Sequence, residues 1–286
     1  MVVDGTGTPT ASSSNLKKPS CLYMESNGDL IICDHENNRI QRWVPLATNG
    51  TTILGNSSGG PGTGASTFDH TQGFNVDIDG NRYVLDHKNN RVQQFPPNST
   101  TGVTVAGVLG GTSTANNHIK YPADLIIDDN MTMYIADKDQ KRVMEWPVGA
   151  SSGVAVIDGN GVASGNIDKP VSLLFVPGSS NKLYVSDESK KQVQLWTFNS
   201  TSPDLIFGGL SSPKQIAFDS YGNLYVADKG NQNIVRFCLN PVANTTGTQV
   251  IGSTGLNEPV ALAFDSAENM YVLDANLEKV FKYNKI

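Results

Sequence analysis

Long apolar runs are missing from this 286-residue chain: none approaches the ~18 to 20 residues of a membrane-spanning helix, so no membrane insertion is expected. A basic excess is missing too. Lys plus Arg number 21 against 27 Asp plus Glu, a net charge of −6, which leaves the whole molecule without an electrostatic footprint for phosphate backbones. That excludes DNA as a partner and disfavours RNA. Cysteine is scarce, at three residues, an odd count too small for a disulfide framework and without the spacing of a zinc site. Histidine is confined to His35, His70, His87 and His118. The opening Met1-Val2-Val3-Asp4-Gly5 has neither a charged n-region nor a long apolar h-region, so it is expected to belong to the fold and not to a signal peptide.

What the chain does contain is one phrase written six times. An aromatic or aliphatic start runs into an aspartate, and an aromatic follows nine residues after it. The copies are Leu30 to Asp34 then Trp43, Tyr83 to Asp86 then Phe95, and Tyr134 to Asp137 then Trp146; then Tyr184 to Asp187 and Trp196, Tyr225 to Asp228 and Phe237, and Tyr271 to Asp274 and Tyr283. The sixth residue after each aspartate is β-branched. Successive aspartates lie 52, 51, 50, 41 and 46 residues apart, the period of a stacked supersecondary unit.

Residues 210–252 show the unit most clearly. After Pro213, an apolar strand ends at Asp219, Tyr221-Gly222-Asn223 makes a turn, and Leu224 to Asp228 returns as a hairpin partner. A second turn leads to Ile234 to Phe237 and a third to Thr248 to Gly252, giving four antiparallel strands. The first strands are apolar on both parities, as in Leu125-Ile126-Ile127 and Leu173-Leu174-Phe175, so they must be covered on two faces. Face-to-face packing around an axis does this. The predicted fold is therefore all-β: a six-bladed β-propeller of four-stranded antiparallel blades in one domain, 1–286. The blades are expected near 16–55, 68–107, 119–159, 167–208, 210–252 and 256–286 plus 1–5. The sixth copy has only three strands before Ile286, and Met1 to Gly5 has the form of the missing outer one, so the N-terminus is expected to close the last blade.

The run of Pro, apolar strand and Asp, then Gly-Asn-Leu-Tyr-Val-Ala-Asp, then Asn-Asn-Arg-Ile or Asn-Asn-Arg-Val, resembles NHL repeats from end to end of the chain. Asp34 through Arg39 and Asp86 through Arg91 are the best copies, while Gln192, Asn233 and Lys279 replace the arginine in later blades. The resemblance implies a six-bladed propeller with a narrow axial channel. It spans several functions: protein-binding and RNA-binding modules beside tripartite-motif ubiquitin ligases, sensor domains of bacterial kinases, and the peptidyl-α-hydroxyglycine amidating lyase. Fold likeness alone does not choose among them.

The candidate chemistry is read residue by residue. Asp34, Asp86, Asp137, Asp187, Asp228 and Asp274 recur in every blade, which favours structural turn anchors over catalysts, since one active site does not need six equivalent carboxylates. Two residues after each repeated proline position stands a residue at the inner edge, and of these Cys21, Asp124, Ser172 and Gln215 are the candidates for lining a channel that holds a ligand. The histidines read as surface-loop residues, blades four to six offering none for a zinc site, so no catalytic residue, metal or cofactor is assigned. Cys21 and Cys33 face each other if Ser26-Asn27-Gly28 forms a three-residue turn, and stand on opposite faces if the turn has two residues; two buried free thiols are the favoured reading. Gly59 to Gly64 has no following helix to cradle phosphate, and Asp77 to Asn81 lacks the remaining ligands of a calcium loop.

Glycosylation triplets at Asn49, Asn98, Asn199 and Asn244 follow the third strand of a blade, with two more at Asn56 and Asn130. They mildly favour an extracellular or cell-surface setting, although a chain this rich in Asn, Ser and Thr produces such triplets by composition alone. The long, varied loops before each blade share a face with the turns after each aspartate. The leading expectation is a monomeric, non-catalytic module that binds a protein or glycan through that face. The alternatives are a metal-dependent lyase or hydrolase resembling the amidating lyase, and an RNA-binding domain.

Overall fold

The computed structural model describes residues 3–4, 15–160, 166–239, 245–252 and 254–285, with the backbone alone at residues 3–4. Six four-stranded antiparallel sheets are arranged as a β-propeller. Blade one is Cys21–Met24, Leu30–Asp34, Arg39–Trp43 and Thr51–Gly55, and blade two is Thr71–Val76, Arg82–Asp86, Arg91–Phe95 and Val103–Gly107. Blade three is Asp124–Ile127, Met133–Asp137, Arg142–Trp146 and Val154–Asp158, and blade four is Pro170–Phe175, Lys182–Asp187, Gln192–Thr197 and Leu205–Phe207. Blade five is Pro213–Phe218, Leu224–Asp228, Asn233–Phe237 and Thr248–Ile251. Blade six joins Pro259–Phe264, Met270–Asp274 and Lys279–Tyr283 to Val3–Asp4, which pairs antiparallel with Val3 opposite Val280 and Asp4 opposite Lys279. The two ends of the chain thus share one sheet; Met1, Val2 and Gly5 of the expected closing strand lie outside the described residues.

Both faces of each blade are buried against neighbours because no single sheet this small encloses a core of its own. One apolar cluster fills each junction: Ile31, Ile40, Phe68, Val84 and Phe95 lie between blades one and two, and Leu22, Ile32, Trp43, Leu273 and Val280 between blades one and six. The last cluster shows that the ring is closed by packing as well as by strand pairing. The aromatic that ends each third strand is part of this filling, with Trp146, Trp196, Phe95 and Phe237 among the largest fully buried side chains.

The turn between second and third strands is the most uniform element. In every blade the aspartate pairs across the hairpin with the residue five positions on, as in Asp34 with Arg39 and Asp274 with Lys279. The residue just before that partner takes a left-handed backbone: Asn38, Asn90, Lys141, Lys191, Gln232 and Glu278 have φ of 55, 57, 58, 58, 56 and 56°. None is glycine. Asparagine enters this region readily, whereas Lys, Gln and Glu are held there by the surrounding turn at a local conformational cost.

The expectation of free thiols is overturned. Glu25 N–H donates to the Asp29 carbonyl at 2.9 Å, so Ser26-Asn27-Gly28 is the three-residue turn, with Gly28 at φ 89°. That register sets Cys21 directly opposite Cys33 with Cα atoms 5.0 Å apart, and the two are joined in a disulfide; Cys238 is free. Alkylation of the native protein in denaturant without reductant is expected to label Cys238 alone, and all three cysteines after reduction, as read by intact mass.

In the first three blades the aspartate is also paired with a buried arginine: Arg39 Nε donates to Asp34 at 2.7 Å, Arg91 to Asp86 at 2.8 Å and Arg142 to Asp137 at 2.8 Å. Arg39 also donates to the carbonyls of Asn15 and Ser57. Removing one member of such a pair leaves the other buried without its counter-charge. Arg39→Met is expected to cost about 3 kcal/mol in denaturant unfolding, while Lys17→Met, which breaks only the exposed pair with Glu36, should change stability by less than about 1 kcal/mol.

Candidate functional site

The face carrying the hairpin turns is assembled by the six aspartates, each 0% exposed. Besides the turn that follows, each carboxylate accepts a backbone N–H from the segment leading into its own blade: Lys17 to Asp34, Asp69 to Asp86, Lys120 to Asp137 and Asp168 to Asp187, all at 2.7 Å. Ser212 donates to Asp228 at 2.8 Å and Asn257 to Asp274 at 2.6 Å. Burial pushes the carboxyls of Asp34, Asp86 and Asp137 above the usual carboxylate range, against the pull of these donors and of the arginines. None of the six borders the central cavity; each ties two segments together just behind its rim.

That cavity, about 250 Å³, opens on the axis of this face and takes lining residues from all six blades. Its wall includes the residue immediately after the aspartate: His35, Lys138, Glu188, Lys229 and Ala275, with His87 at the same place in blade two. The sequence signal for this position is the repeat itself, since counting one residue past each aspartate names His35, His87, Lys138, Glu188, Lys229 and Ala275. Glu188 is gripped by Lys169 at 2.8 Å and, more closely still, by Lys214; burial pushes its carboxyl up, but the two lysines outweigh this and hold it at about 2. Glu258 pairs with Lys229 at 3.3 Å and with Lys18 at 3.6 Å. Lys138 has no hydrogen bond or ion pair through its ammonium among the described residues, and burial lowers its pKa.

Cys21, Asp124, Ser172 and Gln215 all border this cavity. Three of them also fasten one blade to the next. The Asp124 carboxylate accepts from Leu173 N–H and Ser172 Oγ, both at 2.9 Å; Ile216 N–H reaches Ser172 Oγ at 3.4 Å; and Leu262 N–H donates to Gln215 Oε1 at 3.0 Å. In each case the residue two after the proline position of one blade receives the amide three after it in the next. Cys21 instead belongs to the disulfide.

The histidines are placed otherwise than as separate surface-loop residues. His35, His70 and His87 pack together across blades one and two, with ring centres 4.7 Å apart for His35 and His70 and 5.9 Å for His35 and His87. His35 Nδ1 meets the Thr71 carbonyl at 2.8 Å and His87 Nδ1 the Pro122 carbonyl at 3.0 Å. Burial lowers the two pKa values to about 4 and about 3, so both rings are neutral at pH 7. Among the described residues no three of His, Cys, Asp and Glu are placed to hold a metal ion. His118 stands apart against Asn117. The glycosylation candidates Asn49, Asn98 and Asn199 are exposed on turns between third and fourth strands, at the far face of the ring; Asn244 lies outside the described residues.

These features define a six-bladed propeller with one charged, cavity-bearing face. Residues 16–43, which include three strands of the first blade, match the NHL repeat family, and with five further blades on the same plan the chain is an NHL-repeat propeller. No curated protein matches it in sequence. Among solved structures it resembles a streptogramin B lyase, at 12% identity and TM-score 0.63, covering 97% of this chain and 81% of that one. It also resembles a catalytically inactive histidine-to-alanine variant of virginiamycin B lyase from Staphylococcus aureus with quinupristin, at 13% and 0.62, covering 97% and 83%. A gluconolactonase from Xanthomonas campestris is similar at 14% and 0.66, covering 95% and 94%. Likeness at this level of identity is a likeness of fold.

Asp124 gives the site a measurable signature. Burial pushes its carboxyl up to about 6, against the 3.8 of an unperturbed aspartate and against the three donors that lower it. A group raised on folding adds stability fully present below its unfolded value and lost as pH rises through its folded value. The wild type should therefore gain stability relative to Asp124→Asn as pH falls from about 6.5 to about 3.5, with the midpoint of the change near 5, between the unfolded value of 3.8 and the folded value of about 6. Denaturant titrations of both proteins at stepped pH measure it, and parallel curves would contradict the assignment.

Proposed function

We propose that this protein is a non-catalytic binding module that takes a protein or glycan ligand on the face around the channel mouth. The observation that carries the reading is the cavity itself: six blades built on one plan place six different side-chain sets around a single opening. Variable groups on a rigid ring are the usual form of a recognition surface. The groups best suited to chemistry there are already engaged. Asp124 is held by three donors and the two glutamates by lysines, and among the described residues no Ser or Cys is hydrogen-bonded to a histidine.

A second reading, a metal-dependent lyase or hydrolase, is favoured by one feature: three imidazoles gathered at the edge of the mouth, two of them neutral with their Nδ1 atoms anchored on carbonyl oxygens. Anchoring one ring nitrogen is how proteins orient imidazoles toward an ion or a substrate. Elemental analysis of the purified protein separates the two readings, since stoichiometric zinc or calcium supports the lyase or hydrolase.

Glycan arrays and pull-down followed by crosslinking test the first reading. Crosslinks from a captured partner are expected at Lys18, Lys138, Lys214 and Lys229 on the mouth face. Crosslinks confined to the far face, around residues 44–49, 96–101 and 147–151, would overturn it.

A further inference from the structure

The charges of the mouth do not cancel evenly. Four lysines border the cavity, Lys18, Lys138, Lys214 and Lys229, in a protein whose net charge is −6. Glu188 answers Lys214, and Glu258 answers Lys18 and Lys229. Lys138 is left over. Lys138 borders the cavity and is half-buried, and its ammonium has no acceptor among the described residues. A cation withdrawn from water without a partner is costly, and the cost is offset when an anion arrives. Burial lowers the Lys138 pKa against the pull of Asp139 and Glu188, neither of which pairs with its ammonium.

The rest of the lining suits a hydroxylated body. The Gln72 side chain makes no hydrogen bond among the described residues, Gln215 uses only its Oε1, on Leu262 N–H, and the Asp124 carboxylate borders the same space. Amide donors beside carboxylate acceptors are the complement of sugar hydroxyls, which both donate and accept. At about 250 Å³ the space falls below the roughly 300 to 1,000 Å³ of pockets for drug-sized ligands, so it has room for one ring.

We propose that the channel mouth binds a single sugar unit carrying one anionic group, the anion resting on Lys138 and the ring hydroxyls on Gln72, Gln215 and Asp124. This rests on the reading of the mouth as a binding face and specifies its ligand. The shared chemistry is an anion on a hydroxylated ring, and it admits two sources, a carboxylate as in a uronic acid or a phosphate monoester.

The test is titration calorimetry or ligand-observed NMR at low salt with three probes: D-glucuronate, D-glucose 6-phosphate and D-glucose. At least one anionic probe should bind about tenfold or more tighter than glucose, and the advantage should shrink in about 0.5 M salt. Lys138→Met should abolish the advantage, and Lys138→Arg should keep most of it, with thermal midpoints unchanged in both. The anion that wins tells the two sources apart. Equal binding of glucuronate, glucose 6-phosphate and glucose, an advantage that survives Lys138→Met, or no binding of any probe overturns the proposal. If no probe binds while a macromolecular partner still crosslinks to the mouth lysines, the sugar-anion proposal falls and the binding-face reading stands.

Discussion

Everything on the mouth face depends on a carboxylate buried at the end of each second strand. An aspartate with 0% exposure would be a liability in an apolar junction were it not surrounded by donors. Here the donors come from two directions: backbone amides of the segment leading into the blade, 16 to 19 residues earlier in the chain for the pairs formed with Asp228 and Asp187, and from the hairpin ahead the side chains of Asn37, Asn89, Asn231 and Arg142 or the backbone amides of Lys190, Asn276 and Leu277. One side chain therefore sets the shape of the turn and the position of the loop beside it. Repeated six times, this fixes the rim of the cavity to which His35, Lys138, Glu188 and Lys229 are attached. The aspartates are indispensable to the site without entering it.

A second set of contacts keeps the blades in step. Asn38 and Asn90 reach across to the amides of His70 and Tyr121 in the following blades, and Asp124, Ser172 and Gln215 do the same along the channel. Where an arginine is available, as at Arg39, Arg91 and Arg142, it neutralises the aspartate directly; in blades four to six backbone and asparagine donors take a larger share of that work. The six apolar clusters supply the non-directional part of the stability, and the strand formed by Val3–Asp4 brings the ring to a close on the edge of blade six.

The architecture was legible because its signal is additive. Six copies of aspartate followed nine residues later by an aromatic leave one plausible plan, and the missing outer strand of the last copy pointed to the N-terminal residues. Details that depend on one loop or on two blades at once were not legible. Whether Cys21 meets Cys33 turns on a single residue of turn length, and only the backbone shows that Ser26-Asn27-Gly28 is the three-residue form. The left-handed positions of Lys141, Lys191, Gln232 and Glu278 carry no glycine to announce them. His35, His70 and His87 are far apart in sequence and meet because neighbouring blades converge toward the axis. Lys138 was passed over because a lysine in a polar turn looks like a solvated one, and its lack of a partner is a property of the assembled mouth.

Native-state hydrogen exchange at the amides that the aspartates receive, those of Lys17, Asp69, Lys120, Asp168, Ser212 and Asn257, tests this account most directly. If the buried carboxylates hold the lead-in segments, these six amides are protected to the same degree as amides inside the blade strands, although they sit in loops. Exchange at the rates of open loops, with protection confined to the strands, would contradict it.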